Sequence, residues 1–357
     1  MFEGAFVYPI RRSTPGVGNL RPHGPRGEAL IFPEERHTVK MLCRLSNNGA
    51  LISLLCIAAF ALMYISSSSW SSSVYFLGRQ SSSLCACDKC LREADLCIGE
   101  RINESPKPFL SRKYGISEED YDWWKNIYRE GHDFSVYNTT VDKLFQMFPH
   151  IADVAESNNK RCTTCAVVGN SGNLKRSHYG PLIDFHDIVI RINRGPTKGY
   201  EADVGTKTTH RVMYPESASH LDNATSLVLF PFKMKDFPWL IDAFKQGKNS
   251  AVNSKRRANK DLVMILNPAL MKYVHDIWLE EKGHHPSSGF LTLALSMQIC
   301  DEVSVFGFGA DRDGNWNHYF EVLRNKKLKT GNHAGTHEYE VIQQLHKKKT
   351  ITFYKGF

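Results

Sequence analysis

The sequence predicts an α/β fold: a largely parallel sheet flanked by helices, preceded by a single transmembrane helix and a stem. Three observations carry this. Short apolar strands alternate with helix-like segments from residue 161 to the C-terminus, as parallel sheets require. Two strands run into glycine turns, GNSG at 169–172 and GFG at 307–309, the usual ending at the carboxyl edge of such a sheet. Upstream lies an uncharged apolar run, GALISLLCIAAFALMYI at 49–65.

That run spans 17 residues, the short end of what a bilayer needs. A secretory signal peptide is the rival reading, but no clear A-x-A cleavage site follows. Lys40 and Arg44 precede the run and the next basic residue is Arg79, so the positive-inside rule places the N-terminus in the cytosol and residues 66–357 in a lumen. Residues 1–48 are then a cytosolic tail, of which 1–40, rich in Pro, Gly and Arg, could lie upstream of a start at Met41. The serine-rich stretch 66–84 reads as a flexible stem, and 85–357 as the lumenal domain with its core at 161–357.

Residues 100–160 look helical, because Val141, Leu144, Phe145 and Phe148 recur at i, i+3, i+4 and i+7. Trp123 and Trp124 are core candidates. Strands follow at 166–168, 187–192, 227–230, 262–266, 303–306 and 351–354. An amphipathic helix is expected over 268–279, with Asn267 as N-cap, Pro268 in its first position and Gly283 beyond its end. A buried helix is expected over 288–298, and the polar, basic stretch 247–260 reads as a mobile loop.

Of 357 residues, 42% are hydrophobic, enough to exclude a disordered or collagen-like chain. The net charge of +8 suits an anionic ligand or a membrane surface, whereas no run of like charge resembles a nucleic-acid-binding arm. Cys43 and Cys56 lie in or beside the anchor. The lumenal cysteines are Cys85, Cys87, Cys90, Cys97, Cys162, Cys165 and Cys300, and an oxidising lumen should pair them. Their odd number leaves one free or bonded between chains, so a homodimer stays open. The C-x-C-x2-C cluster at 85–90 could instead bind zinc, and Cys162-x-x-Cys165 could be a redox pair, although such a pair should open a helix and Cys165 opens a strand. Sequons start at Asn103, Asn138 and Asn223.

Four segments carry chemistry. In GNSG, Gly169 and Gly172 permit close backbone approach, and Asn170 and Ser171 offer donors and acceptors, as a nucleotide-binding turn does; an ordinary tight turn reads the same way. PSSG at 286–289 opens a helix, where hydroxyls and free amides suit a phosphate, or serves as plain N-capping. GFG at 307–309 supplies a second turn that could embrace the same ligand. His318, His333 and His337, with Glu338, offer groups for moving a proton near neutral pH. There is no G-x-G-x-x-G turn, which argues against a dinucleotide oxidoreductase, and no P-loop lysine.

These segments resemble the motifs of animal sialyltransferases. Residues 165–212 resemble the long sialyl motif and 286–309 the short one. His318-Tyr319-Phe320 resembles motif III, and His333-x4-Glu338 the very short motif, all in the family's order. EADVGTKTTH, YPES and DEV-x3-GFGAD are especially similar to its Gal-β1,3-GalNAc α2,3 branch.

The resemblance implies a Rossmann-like, modified GT-A glycosyltransferase fold without a metal-binding Asp-x-Asp, in the Golgi membrane as a single-pass type II protein. It implies transfer of N-acetylneuraminic acid from CMP-sialic acid, with no cofactor, to the 3-hydroxyl of galactose on glycoproteins or glycolipids. Asn170, Ser171 and Asn193 would contact CMP, Ser288 and Gly289 would sit by the cytidine and ribose, and Gly309 and Trp316 would line the pocket. His333 matches the general base and His318 the residue that bonds the departing phosphate. Glu338 would orient His333 or close the loop over the site. Disulfides Cys165–Cys300, Cys87–Cys162 and Cys85–Cys90 follow from the same resemblance, which leaves Cys97 without a counterpart. The chain departs from the pattern at Phe320 (usually Trp), at His285 (Tyr) and at Ser288 (Thr). A different galactoside acceptor, or a non-catalytic binder on the same fold, are the alternatives.

Overall fold

In β1 (Thr164–Val168), the apolar run CAVV is buried on both faces, so it can only be an interior strand. β2 (Ile188–Ile192), β3 (His210–Met213), β4 (Ser226–Leu229), β5 (Val263–Ile265), β6 (Glu302–Phe306) and β7 (Thr352–Tyr354) join it in one sheet of order β5-β4-β3-β2-β1-β6-β7. Every pairing is parallel. The computed structural model describes residues 85–88, 90–93, 95–148, 160–244, 258–321 and 331–357, all within the compact unit Phe76–Phe357.

Before the sheet come α1 (Leu96–Asn103), α2 (Glu118–Tyr128) and α3 (Phe134–Met147). Val141, Leu144, Phe145 and Phe148 are all buried, as their spacing predicts. Of the two tryptophans, Trp124 is fully buried with Nε1 donating to the carbonyl of Pro231 (2.9 Å), while Trp123 is half-buried. α4 (Gly180–Phe185) and α5 (Glu201–Val204) cover one face of β1 and β2 through Ile183 and Val204. α6 (Asp236–Phe244), α7 (Pro268–Tyr273), α8 (Ser288–Ile299) and α9 (Gly335–Lys347) complete the chain. Asn267 caps α7 through Ala269 as expected, but the helix widens into a π turn, Val274–Trp278. α8 is apolar all round and buried from Phe290 to Met297. Its N-cap is Ser287, whose side chain accepts from the Phe290 amide.

All six expected strands form within one or two residues of their expected ends. β3 has no apolar run to announce it: its sequence is HRVM, and the buried Arg211 breaks the hydrophobic pattern.

The disulfides are Cys85–Cys90, Cys87–Cys162 and Cys165–Cys300. They engage the sulfurs that the zinc and the redox-pair readings would need, and Cys97 is disulfide-bonded too. Cys165–Cys300 ties β1 to the residue that caps the C-terminus of α8. Among the described residues no helix is long and apolar enough to cross a membrane. The apolar run 49–65, the stem and most of the loop 247–260 lie outside the described residues.

Candidate functional site

The sheet reverses direction between β1 and β6. From β1 the chain winds outward through β2, β3, β4 and β5, while β6 and β7 lie on its other side. Crevices at such switch points are where open parallel sheets bind ligands. Both glycine turns lie there, and they touch. The Gly169 amide donates to the carbonyl of Phe306 (2.8 Å), and the Ser171 amide to that of Gly307 (3.0 Å). A Cβ at Gly169 would collide with the Gly307 carbonyl, and Gly307 adopts φ +69° against Leu174, so neither position accepts a side chain.

Asn170 reaches across to β2, its Nδ2 donating to the carbonyl of Ile192 (3.1 Å) while its own carbonyl accepts from the Tyr319 amide (2.9 Å). Ser171 is buried, its hydroxyl accepting from Asn173, and its backbone forms a bridge with His318. Asn193 follows β2 in the left-handed region (φ +54°), and its buried Oδ1 has no protein partner. An unsatisfied buried acceptor in a crevice marks a place for a donor from a ligand. Residues of the long-motif and motif III segments thus meet at one edge.

The short-motif residues close the other wall. Ser288 and Gly289 form the first turn of α8, and a Cβ at Gly289 would press on the Phe308 ring at 3.0 Å. Gly309 (φ +85°) is packed under the Tyr339 ring. Trp316 is half-buried on the loop before Asn317, whose carbonyl accepts from the Gly172 amide (2.7 Å). His318 is half-exposed; its Nδ1 lies 2.5 Å from Glu321 Oε1, and its ring stacks on Phe320 at 5.1 Å.

His333 sits just before α9. Its Nδ1 lies 3.0 Å from the carbonyl oxygen of His285. A carbonyl only accepts, so Nδ1 carries a proton, and in the neutral ring the lone pair then lies on Nε2. The His285 ring stands edge-on to the His333 ring at 4.5 Å. Burial, then the facing His333, hold His285 down at about 4. Around it Tyr128 and Phe232 complete an aromatic wall, at 5.3 and 6.4 Å from His285. The Tyr128 hydroxyl and Asp236 Oδ1 are buried without hydrogen-bond partners, and burial, then the nearby Asp236 carboxylate, pushes the Tyr128 phenol up. Burial pushes Asp236 up to about 6.

Glu338 is buried, not a surface carboxylate. It accepts from the Ser287 amide (2.7 Å) and from the Ser287 hydroxyl (2.5 Å). It therefore clamps α9 to the N-cap of α8, joining the two motifs that carry His333 and Ser288. Burial raises its pKa. His337 points elsewhere, with Nδ1 3.7 Å from Glu340 and Nε2 buried without a partner. The residues that sequence reasoning did not single out are Ser287, Tyr128 and Asp236; only Ser287 stood inside a motif.

A family model described as Glycosyltransferase family 29 (sialyltransferase) matches residues 109–350. The chain is 44% identical over 282 residues to CMP-N-acetylneuraminate-beta-galactosamide-alpha-2,3-sialyltransferase 1 of Sus scrofa, covering 76% of this chain and 82% of that one. It is 42% identical to the Homo sapiens protein of the same name, with 76% and 83% covered. It is also similar to a solved structure described as a mammalian sialyltransferase in complex with Gal-beta-1-3GalNAc-ortho-nitrophenol. The TM-score is 0.67 and the identity 41%, over 76% of this chain and all of that one.

Proposed function

Because the chain belongs to glycosyltransferase family 29, the sialyltransferases, we propose that it moves N-acetylneuraminic acid from CMP-N-acetylneuraminic acid to the 3-hydroxyl of galactose in Gal-β1,3-GalNAc, with inversion at C2. The observation that carries the chemistry is the tethered imidazole. His333 has its Nδ1 bound to the His285 carbonyl, in the same knot of contacts that fixes the first turn of α8.

The acceptor hydroxyl is a weak nucleophile, and a neutral imidazole is an efficient base for it. Nε2 of His333 takes the hydroxyl proton as the oxygen forms its bond to C2. The bond from C2 to the phosphate oxygen breaks, and CMP departs with the electron pair. His318, held by Glu321, donates to the leaving phosphate, and the α8 amides at Ser288 and Gly289 face the same charge. Asn170, Ser171 and Asn193 bind the cytidine monophosphate, with Gly309 and Trp316 lining its pocket. The aromatic wall of Tyr128, Phe232 and His285 receives the acceptor sugar. Since phosphate is already a good leaving group, the reaction needs no divalent ion.

The same reading takes the fold as a Rossmann-like variant of GT-A, anchored by residues 49–65 through the stem 66–84, with the catalytic domain 85–357 in the Golgi lumen. The disulfides suit an oxidising compartment, and Asn103, Asn138 and Asn223 are all exposed, as glycosylation requires.

The full chain, incubated with CMP-N-acetylneuraminic acid and a Gal-β1,3-GalNAc glycoside in the presence of a chelator, should release CMP and give an α2,3-linked product by NMR. Absence of product on every galactoside acceptor would overturn the activity. Product that forms only after a divalent ion is restored would overturn metal independence.

A further inference from the structure

The adjacent strands β2 and β3 hold a buried charge that the proposed reaction does not use. Arg191 on β2 and Arg211 on β3 are register partners, so two guanidinium groups lie side by side on adjacent strands. They are 2% and 9% exposed. Arg191 is held by the carbonyl of Lys207 and the hydroxyl of Thr208, with Asp184 at 3.9 Å. Among the described residues Arg211 has no carboxylate. Its Nη1 donates to the carbonyls of Asn193 (3.0 Å) and Gly195 (2.8 Å). Its Nε is buried without a partner, as is Nη1 of Arg191. Leaving charged donors unmatched is costly, and such groups ordinarily have an anion or water beside them.

A cleft opens against Arg211. Its volume is about 200 Å³, far above the roughly 10–15 Å³ that one water needs. Arg211 lines it together with the threonines 197, 206, 208 and 225, His220 and Asp222. The lining offers the guanidinium and the hydroxyls of Thr197 and Thr208 as donors and almost no apolar surface, while the hydroxyls of Thr206 and Thr225 donate to Asp184 and to the Thr208 carbonyl. Asp222 is turned to its own loop, where Oδ1 accepts from the amides of Ala224 and Thr225.

We propose that this cleft is a second anion site, in which Arg211 and the hydroxyls of Thr197 and Thr208 bind an oxyanion: a carboxylate, sulfate or phosphate group. A planar guanidinium with free N–H groups matches two oxygens of such a group at once, and Thr197 and Thr208 supply neutral donors for the rest. The site is distinct from the proposed donor pocket, and it does not rest on the sialyl-transfer reading. Asn193 separates the two: its carbonyl accepts from Arg211, and its Oδ1 is the buried acceptor assigned above to the nucleotide.

Calorimetric titration of the full chain with sodium sulfate, with CMP present in excess to occupy the donor pocket, tests this. Sulfate should bind in the presence of CMP. R211Q, shown to be folded by its own CMP titration, should bind it at least about tenfold more weakly, the loss of one charge-assisted contact. Should R211Q fail to fold, the double variant T197V/H220A alters only rim side chains, and should weaken sulfate about three- to fivefold with an unchanged melting temperature. A second arm titrates methyl α-N-acetylneuraminate. Tighter binding of this sugar than of sulfate, again lost in R211Q, identifies the ligand as an acidic glycan terminus; sulfate alone identifies a free ion. Disappearance of sulfate binding once CMP is added, or unaltered binding in both variants, overturns the site.

Discussion

The two walls of the site are made of different material. The nucleotide side is backbone: the β1 and β6 turns follow strands that end in the buried Val168 and Phe306 and are joined by main-chain bonds of 2.8 and 3.0 Å. Asn173 adds a third tie, its Nδ2 donating to the carbonyl of Phe308 (2.7 Å). The base side is side chain: His333, His285, Glu338 and Ser287 stand on helix ends and connecting loops and hold one another by polar contacts. Geometry is the only way to injure a wall of glycine and amide, whereas charge and protonation act on a wall of imidazole and carboxylate. The glycine turns should therefore respond to volume and ignore pH, and the base side should do the reverse.

The sharpest separation of the two is His333→Ala. Losing a general base costs about 10²–10⁴-fold in rate. Turnover should fall by that much while CMP affinity, read by calorimetry, stays within about twofold. Loss of CMP binding along with rate would mean that the walls are one structure. A smaller but still large effect is expected from Gly169→Ala. The new methyl meets the Gly307 carbonyl and the Phe308 ring, a close-packed overlap of the kind that costs about 1–3 kcal/mol. CMP affinity should fall about tenfold or more, with the shape of the pH–rate profile unaltered. A changed profile would break the contrast.

Glu338→Gln comes next. It preserves shape but replaces one acceptor oxygen by an NH2 group facing Ser287, whose amide and hydroxyl both donate. One donor then lacks a partner, a change worth about 1–3 kcal/mol. If Glu338 positions His333 by fixing the N-cap of α8, kcat should drop about tenfold with CMP affinity kept. A purely structural role would lower the melting temperature and leave kcat per folded molecule unaltered.

Much of the donor wall was legible because strand ends and glycines leave strong marks in sequence. Apolar runs gave six strands, and the two turns proved to be neighbours across β1 and β6, as one ligand shared between them requires. The base wall was harder. Three histidines near the C-terminus look alike by composition, and the motif spacing singled out His333. Nothing local showed that Glu338 would be buried on Ser287, since that bond spans 51 residues. β3 was invisible for the reason that makes it interesting: a strand whose buried residue is Arg211 does not read as apolar. Tyr128 and Asp236 come from α2 and α6, outside every motif, and only the packing brings them to the aromatic wall.

The smallest effect tests the base wall's sensitivity to protons without touching the base. His285 is held at about 4, below its ordinary value near 6.5, by burial and then by His333. A lowered folded-state pKa means that the unfolded chain takes the proton more readily. The stabilisation is complete above about pH 6.5 and is lost as pH falls towards 4. Between pH 7 and 5 that amounts to about 2 kcal/mol for this one group. His210, lowered to about 4 by burial, adds to the same slope. Asp236, raised to about 6, opposes it, because its cost is relieved on acidification. His285→Phe keeps a ring against Tyr128 and Phe232 and keeps the backbone carbonyl that holds His333. In thermal melts at pH 7 and pH 5, the variant should lose less stability than the wild type, a difference of about 4–8 °C in the change of melting temperature. Equal losses in both proteins would mean that the imidazole at 285 is already protonated or solvated in the fold, and that the wall is held by shape alone.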